Sequence, residues 1–331
     1  MNFSKEEEIR PKQLLDELVR LCRIDALNAS KSGEFEEINC PACRCNSHDF
    51  AFSKNSFIYK SCGSCHSIFN SKRMTRNFYV EFYKRSLSSK YFSDKFYPAV
   101  EASRKEKLYP ARAEMLSALL TSDANNQKVI LDVGAGEAFL FDLLRCHHPN
   151  YDFRVIEPNP RMAEKCRKKG YSVFEGYAEQ QEQWHAECDI ILCFEVFEHL
   201  LDPGNFLNSL FRLLRPGGHL LITTLCSDGF DLKVLGSDSN MIAPPQHLNF
   251  FSIKGFKTFF KNHGFSEIQI STPGKLDVDI VINKLMENTP RMHNSLFNFL
   301  SNLNEDQRHN FQNFLSNNNL SSHIWIEATK P

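Results

Sequence analysis

The segment Val129–Phe139, VILDVGAGEAF, constrains the fold of this chain more than any other. Its first five residues are mostly apolar and predict a buried strand, which stops at Gly134 and Gly136 before a run of good helix formers. Glycine has no Cβ, so a glycine turn between a strand and a helix lets the backbone approach a ligand closely. The segment therefore predicts an α/β sheet with a ligand site at the end of this strand.

Strand and helix patterns alternate from about residue 128 onward, as in a parallel sheet with crossover helices. The predicted strands are Val129–Val133, Phe153–Ile156, Val173–Phe174, Asp189–Phe194, His219–Thr224, Glu267–Ser271 and Ile324–Thr329. A stretch rich in Gly, Asp, Ser and Pro follows Leu225 and runs to Gln246. It is too long for a simple connection, so we expect a functional loop there.

Four of the eleven cysteines form two CxxC pairs, Cys40/Cys43 and Cys62/Cys65, with 18 residues between the pairs. This spacing is typical of a four-thiolate tetrahedral zinc site. Nothing indicates an open coordination position, so the predicted zinc is structural and stands in for a core too small to hold the segment folded. The other cysteines are scattered singly, which indicates reduced thiols and a cytoplasmic protein.

We expect four parts in the chain: a helical arm at 1–38, a zinc ribbon at 39–72, an aromatic helical lid or linker at 73–120, and an α/β domain at 121–331 with a helical insertion at about 279–315. No apolar run approaches the roughly 18–20 residues needed to span a bilayer, so no membrane partner is expected. Residues 40–110 hold thirteen Lys/Arg against five Asp/Glu. This basic module is either a nucleic-acid footprint or a solvated helical surface, and we favour the second interpretation.

The glycine turn alone suits two adenine-bearing ligands, a dinucleotide or S-adenosylmethionine (SAM). A dinucleotide fingerprint has a third glycine at position 139, where this chain has Phe139. Glu157 closes the second predicted strand, 21 residues after Gly136. An acid at that strand end can accept both ribose hydroxyls of an adenosine ligand.

The motifs Asp132-Val-Gly-x-Gly, Glu157-Pro158, CDIILCFEVFEHLLDP and LFRLLRPGGHLLITT resemble consecutive motifs of the class I SAM-dependent methyltransferases over about residues 129–265. The resemblance implies a Rossmann-like seven-stranded sheet, here with an N-terminal zinc ribbon and a helical lid, and SAM as methyl donor. The upstream ribbon, FY…S…YF and R…KLYPARAEML resemble the bacterial zinc-ribbon subgroup. That subgroup includes methyltransferases of sugars and other small metabolites.

The resemblance also implies which residues contact SAM. Asp132, Gly134 and Gly136 would meet its methionine portion, Glu157-Pro158 the ribose, and Phe194–Glu195 the methionine side. Ala178 would meet the adenine through its backbone, and Tyr177, where many members have Asp, would stack on it. Ala138 stands in for the last glycine of the family pattern, and we expect its methyl group to tighten the turn slightly.

His247 is the first candidate for a catalytic base, because it follows the long loop and is expected where the strand C-termini open. The sugar C-methyltransferases have a Tyr-x-Glu-His run near this position. This chain has Pro244-Pro245-Gln246-His247, so the Tyr and the Glu are missing. The alternative interpretation is a histidine that fixes the loop through a hydrogen bond to backbone.

His199 is the second candidate, in the run Glu195-x-x-Glu198-His199, which a helix would place on one face. The ubiquinone-pathway O-methyltransferases carry a similar run that binds a divalent cation. We favour a structural role over a metal, with Glu198 and His199 capping the helix that follows.

These observations predict a SAM-dependent methyltransferase that acts on a small molecule, such as a sugar or nucleotide-sugar intermediate of surface polysaccharide or secondary metabolism. The main alternative is an RNA methyltransferase that binds nucleic acid through the basic zinc module. An inactive scaffold is a third interpretation. A nicotinamide dehydrogenase is the least favoured, because of Phe139.

Overall fold

The computed structural model of the protein describes residues 6–31, 35–120, 127–287 and 295–331. Its helices are α1 (Glu6–Ile9), α2 (Lys12–Ala29), α3 (Arg76–Arg85), α4 (Leu87–Tyr91), α5 (Tyr97–Lys107), α6 (Tyr109–Leu120), α7 (Phe139–His147), α8 (Pro160–Lys168), α9 (Pro203–Leu213), α10 (Phe230–Leu235), α11 (Ile253–Asn262), α12 (Asp277–Glu287), α13 (Ser295–Ser301) and α14 (Glu305–Asn317). Its strands are β1 (Phe35–Glu37), β2 (His48–Lys54), β3 (Phe57–Cys62), β4 (Ile68–Asn70), β5 (Lys72–Met74), β6 (Val129–Val133), β7 (Asp152–Ile156), β8 (Ser172–Phe174), β9 (Cys188–Phe194), β10 (Leu214–Leu225), β11 (Asn249–Phe250), β12 (Ser266–Ser271) and β13 (His323–Thr329).

A seven-stranded sheet has the strand order β12-β13-β10-β9-β6-β7-β8. The strands from β10 to β8 pair in parallel, and β6 lies between β7 and β9. The predicted α/β sheet is confirmed, and each predicted strand end lies within one residue of the observed one, apart from the start of β10. That strand begins at Leu214 and includes the RPGG run, where its register with β9 shifts before His219.

The centre of this sheet is apolar on both faces, as expected for parallel strands covered by helices. Ile130, Leu131 and Val133 of β6 are buried, and β9 is buried along Cys188–Cys193. Because β6 and β9 are neighbours, the turn after Val133 and the segment after Phe194 open at the same edge of the sheet. This edge is where ligands bind in open α/β sheets.

The chain forms two compact units. One is built from residues up to Val100, Leu225–Thr258 and Ile270–Trp325, and the other from Glu101–Thr224, Phe259–Gln269 and Ile326–Pro331. The four-part division expected from the sequence stays a prediction.

The first unit contains a small antiparallel sheet with the order β11-β4-β3-β2, next to the two CxxC pairs. Its edge strand β11 comes from a distant part of the sequence, and Asn249 and Phe250 pair with Phe69 and Ile68 of β4. The stretch before it, expected as a loop, contains α10 and a 3-10 turn at Gly236–Asp238.

The same unit contains the helices α12, α13 and α14. The apolar face of α12, which includes Val278, Val281, Ile282 and Leu285, forms a buried cluster with Leu300 of α13 and Leu315 of α14. These helices occupy the region of the helical insertion predicted at about 279–315, and residues 288–294 of that range lie outside the described residues. Among the described helices, none is both long and apolar enough to cross a lipid bilayer.

Candidate functional site

The glycine turn after β6 requires its glycines for two reasons. Gly134 and Gly136 have φ of +77° and +57°, which L side chains rarely adopt. A Cβ on Gly134 would also lie 2.6 Å from Cγ2 of Val196, whereas a Cβ on Gly136 would meet open space, so at Gly136 only the backbone conformation requires glycine. The backbone of the turn is therefore left bare at the strand end, as the sequence predicted.

Ala138 also has a left-handed conformation, with φ 54° and ψ 36°, at the residue that precedes α7. Its position is the one where the family pattern has a third glycine. The expectation that the methyl group merely tightens the turn was therefore incomplete, because the main cost is conformational. A left-handed L-residue costs about 1–2 kcal/mol relative to glycine.

Glu157 bridges the glycine turn and the start of the next helix. Its Oε2 accepts the backbone N–H of Gly136 at 2.8 Å, and its Oε1 accepts that of Asn159 at 2.8 Å. The side chain is buried, and burial raises the pKa of its carboxyl, opposed by these two hydrogen bonds. Each carboxylate oxygen has a second lone pair, so both retain capacity for a further donor.

Asp132, the acid of the glycine motif, is buried at the end of β6. Burial, and then the nearby Glu157 charge, raise its carboxyl pKa to about 7, while Arg112 opposes this shift. The charge of Asp132 is therefore poised to change near neutral pH.

The segment after β8 carries the residues predicted to contact adenine. Tyr177 is 45% exposed, while Ala178 is buried and begins a 3-10 turn that ends at Gln180. The backbone N–H of Tyr177 is held by Oε1 of Gln180 at 3.1 Å. Pro158 is exposed, directly after Glu157.

The prediction that Glu195, Glu198 and His199 share one face of a helix is wrong. Only Phe197–His199 forms a 3-10 turn, and Glu195 precedes it with φ 57°. The helix that follows begins at Pro203 and is capped by Asp202, whose side chain accepts the N–H of Asn205. The expectation that Glu198 and His199 cap it is therefore also wrong.

The carboxylates of Glu195 and Glu198 instead each accept a hydrogen bond from a threonine at the end of β10. Thr223 donates to Glu195 Oε1 at 2.7 Å, and Thr224 donates to Glu198 Oε2 at 2.7 Å. Arg112 adds an ion pair to Glu195 at 3.2 Å.

The guanidinium of Arg112 also lies 5.2 Å from the ring centroid of Phe194. Phe194, like Glu195, is predicted to contact the methionine side of SAM. The sequence reasoning missed this arginine as a site residue. Its signal was present, since R…KLYPARAEML was part of the resemblance and Arg112 is the cation within α6.

His247 belongs to the first compact unit. Its Nδ1 lies 2.7 Å from the backbone oxygen of Met241. A carbonyl oxygen only accepts hydrogen bonds, so the neutral ring carries its proton on Nδ1 and its lone pair on Nε2. This contact is the hydrogen bond to backbone that a loop-fixing histidine would make. It also favours the tautomer in which Nε2 can accept a proton, as a base at that atom requires.

The four predicted zinc ligands form a candidate metal centre. Their sulfur atoms all lie within 4.8 Å of one another, with 3.6 Å between Cys40 and Cys65 and 3.5 Å between Cys43 and Cys62. A zinc ion at about 2.3 Å from each sulfur separates them by about 3.8 Å, so this donor set fits tetrahedral zinc.

Both CxxC turns have the same backbone. The N–H of Arg44 donates to Cys40 O and the N–H of His66 to Cys62 O, and both residues have positive φ. Gly63, inside the second pair, does not have a positive φ.

A family model described as a methyltransferase domain matches residues 104–270, about half of the chain. The chain belongs to the class I SAM-dependent methyltransferases. The family resemblance predicted from the sequence motifs is thereby confirmed, together with the Rossmann-like sheet that it implies.

Relatives of this methyltransferase-family chain have low identity. The ubiquinone biosynthesis O-methyltransferase of Sodalis glossinidius is 27% identical over 103 residues, which are 30% of this chain and 41% of that protein. The malonyl-(acyl-carrier protein) O-methyltransferase of Brevibacillus brevis is 25% identical over 203 residues, 57% of this chain and 72% of that protein. A SAM-dependent methyltransferase structure from Archaeoglobus fulgidus is 15% identical, with 71% of this chain and 100% of that chain covered and a TM-score of 0.47. The chain thus spans about two fifths of the length of the ubiquinone-pathway relative.

Proposed function

We propose that this protein transfers the methyl group of SAM to a small-molecule acceptor, with sugars and nucleotide-sugars as the acceptor class. The observation that carries the methyltransferase part is the hydrogen bond between Glu157 and the bare glycine turn at Gly136. It joins the expected ribose acceptor to the expected methionine-binding backbone within one compact unit.

The residues around the glycine turn would hold SAM, which supplies an electrophilic methyl group on a sulfonium when bound. Glu157 accepts ribose hydroxyls with its remaining lone pairs, and the backbone at Gly134 and Gly136 approaches the methionine portion. Asp132, when ionised, offers a negative charge to the cationic ligand. The enzyme's main task in an in-line displacement is orientation, which a rigid turn on a parallel sheet provides.

Phe194 and Glu195 complete the methionine side in this proposal. Glu195 is fixed by Thr223 and Arg112, so its carboxylate is held in place before the ligand arrives. We propose a structural role for Glu198 and His199, because Glu198 is buried against Thr224. His199 remains the second candidate for the base.

His247 is proposed as the base that removes a proton from the acceptor. Its Nδ1 contact with Met241 orients the ring and supports Nε2 as the accepting atom. A base is needed when the acceptor must lose a proton, as a hydroxyl does during methylation.

Gln246 explains why the glutamate of the sugar C-methyltransferases is missing here. Its Nε2 donates to Ser88 Oγ at 2.8 Å, and that hydroxyl in turn donates to Asp25 Oδ2 at 2.6 Å. A glutamate at 246 could not donate to Ser88 Oγ, and the Ser88 hydroxyl already donates its proton to the Asp25 carboxylate. The glutamate would therefore lie near a second carboxylate without a donor from Ser88. Gln246 is therefore a support for the loop, and it leaves His247 as the first candidate for the base.

Zinc is proposed at Cys40, Cys43, Cys62 and Cys65, with a structural role. The sulfur separations support it, and four thiolates leave no open position for a reacting group. We also propose a cytoplasmic location, because reduced cysteines are typical of cytosolic proteins.

The proposed function is tested by calorimetric SAM binding, followed by mass spectrometry of products from isotope-labelled SAM and a panel of nucleotide-sugars. We expect SAM to bind, and one panel member to gain a labelled methyl group. His247→Gln should abolish transfer while SAM affinity stays at the wild-type value.

Four outcomes would contradict parts of this proposal. Absence of SAM binding at millimolar concentration would favour the inactive scaffold. SAM binding with no labelled sugar would refute the acceptor class, and unchanged transfer by His247→Gln would refute the base. Tight RNA binding that weakens steeply with salt would favour the RNA methyltransferase instead.

A further inference from the structure

The segment that carries His247 is built into the sheet of the cysteine-rich ribbon. β11 begins two residues after His247 and forms the edge of that sheet beside β4. The N–H of Asn70 donates to the carbonyl oxygen of Leu248 at 2.9 Å, which extends the pairing by one residue towards His247. The histidine thus directly precedes a strand whose position the ribbon determines.

Tyr59 of β3 contacts His247 itself. Its hydroxyl donates to the backbone oxygen of His247 at 2.8 Å, and the side chain is completely buried. Loss of this donor would cost about one hydrogen bond, so the contact restrains the histidine backbone.

A buried arginine reinforces the next residues. Arg73 is 1% exposed, and its Nη2 donates to Oδ1 of Asn249 at 2.5 Å. The same guanidinium reaches back to the carbonyl oxygen of Asn70 through Nε at 3.2 Å. One cation therefore links β4 to β11.

The second CxxC turn holds the other end of the segment. Oγ of Ser252 donates to the carbonyl oxygen of Cys65 at 2.5 Å, and the N–H of Ser252 donates to Oγ of Ser67 at 3.1 Å. Gly255 leaves no space for a side chain, since a Cβ there would lie 2.1 Å from Ser67 Oγ and 3.4 Å from Cβ of Ala42. The packing is therefore direct on both CxxC turns.

We propose that the zinc ribbon is the scaffold that positions His247, and that Tyr59 is a positioning residue for it. The ribbon then has a task in the acceptor half of the reaction, beyond holding its own fold together. The consequence for catalysis rests on the proposed function, in which His247 is the base. The coupling between the ribbon and the segment that carries His247 does not depend on that role.

The coupling is tested by hydrogen–deuterium exchange of the full-length protein before and after zinc chelation. We expect exchange to accelerate in residues 247–255 as well as in 39–72, and to recover when Zn²⁺ alone is added back. Exchange that accelerates in 39–72 while 247–255 keeps its protection would overturn the proposal, because the ribbon would then be a self-contained module.

Tyr59→Phe tests the same coupling with zinc in place. We expect about fivefold faster exchange at 247–255, the effect of one lost hydrogen bond, with zinc content unchanged. Tyr151→Phe is the matched control, because Tyr151 also donates its hydroxyl to a backbone oxygen, that of Leu120 at 3.3 Å in the other unit. Unchanged exchange at 247–255 in Tyr59→Phe would refute the positioning role.

The imidazole signal of His247 gives a readout specific to the site. In protein labelled with ¹³C-histidine, this signal is assigned by its loss in His247→Gln. We expect Tyr59→Phe to shift or broaden it and Tyr151→Phe to leave it unchanged, and an unmoved signal in Tyr59→Phe would contradict the proposal. These measurements use no acceptor, so they succeed or fail independently of methyl transfer.

Discussion

Glu157 and Gly136 lie 21 residues apart in the sequence and are joined by a 2.8 Å hydrogen bond from the glycine N–H to the carboxylate. Since the second oxygen accepts the N–H of Asn159, both oxygens have a backbone donor. An amide in place of the carboxylate has one accepting oxygen, so one of the two N–H groups would face an NH₂ group. The carboxylate therefore fixes the conformation of the turn.

We predict that Glu157→Gln weakens SAM binding about 10- to 100-fold, the range for loss of a charge-assisted hydrogen bond. Isothermal titration calorimetry measures the dissociation constant. Glu164→Gln, an exposed glutamate on α8, is the control and should bind SAM as the wild type does. Equal affinities of the two variants would show that Glu157 has no part in the site.

Ala138→Gly should stabilise the protein by up to about 1.6 kcal/mol. Removal of the left-handed strain gains about 1–2 kcal/mol, and the freer unfolded chain costs about 0.4–1 kcal/mol. Ala135→Gly is the control in the same turn, because φ of Ala135 is not positive, and it should be destabilising. Urea unfolding measures the free energy of unfolding of both variants. A lower value for Ala138→Gly than for the wild type would show that Ala138 is not strained.

Cys43→Ser should release zinc and increase exchange in residues 39–72 while SAM still binds. One thiolate of four is lost, and a hydroxyl is a poor zinc ligand at neutral pH. Cys45→Ser is the matched control, since Cys45 lies outside the group of four sulfurs. Elemental analysis should find zinc in Cys45→Ser and a deficit in Cys43→Ser, and no zinc in the wild type would refute the metal centre.

Asp231, on α10, is a second buried acid whose titration affects stability. Burial, and then the nearby Asp277 charge, raise its carboxyl pKa from 3.8 to about 7. Between these two values the folded protein keeps a proton that the unfolded chain has lost. The free energy of unfolding therefore falls as the pH rises through this window, and it stays low above about pH 7.

Asp231→Asn should remove that pH dependence. We expect the variant to be more stable than the wild type by about 2–4 kcal/mol near pH 8, and by much less near pH 4. Urea unfolding at both pH values measures the difference. Asp49→Asn, at an exposed position of β2, should show no such trend, and a constant difference across pH for Asp231→Asn would refute the buried titration.

The sequence by itself determined the sheet, the glycine turn after β6 and the acid at the end of the neighbouring strand. The apolar strand β6, its two glycines and the acid Glu157 are local signals, because burial on both faces, positive φ and a strand-end carboxylate each select residue types over a short span. The CxxC spacing is equally local, so the four cysteines were recognisable before their sulfurs were seen to cluster.

The tertiary structure decided what depends on contacts between distant segments. The run from Glu195 to His199 had a helical spacing, but hydrogen bonds to Thr223 and Thr224 select a positive φ and a 3-10 turn there. No local pattern indicated that Asn249 and Phe250 would join the ribbon sheet, about 180 residues after β4 in the chain. Such pairing arises because buried backbone N–H and C=O groups need hydrogen-bond partners, and which groups still need one is decided only when the chain is compact. The restraints on His247 therefore appear only in the folded protein.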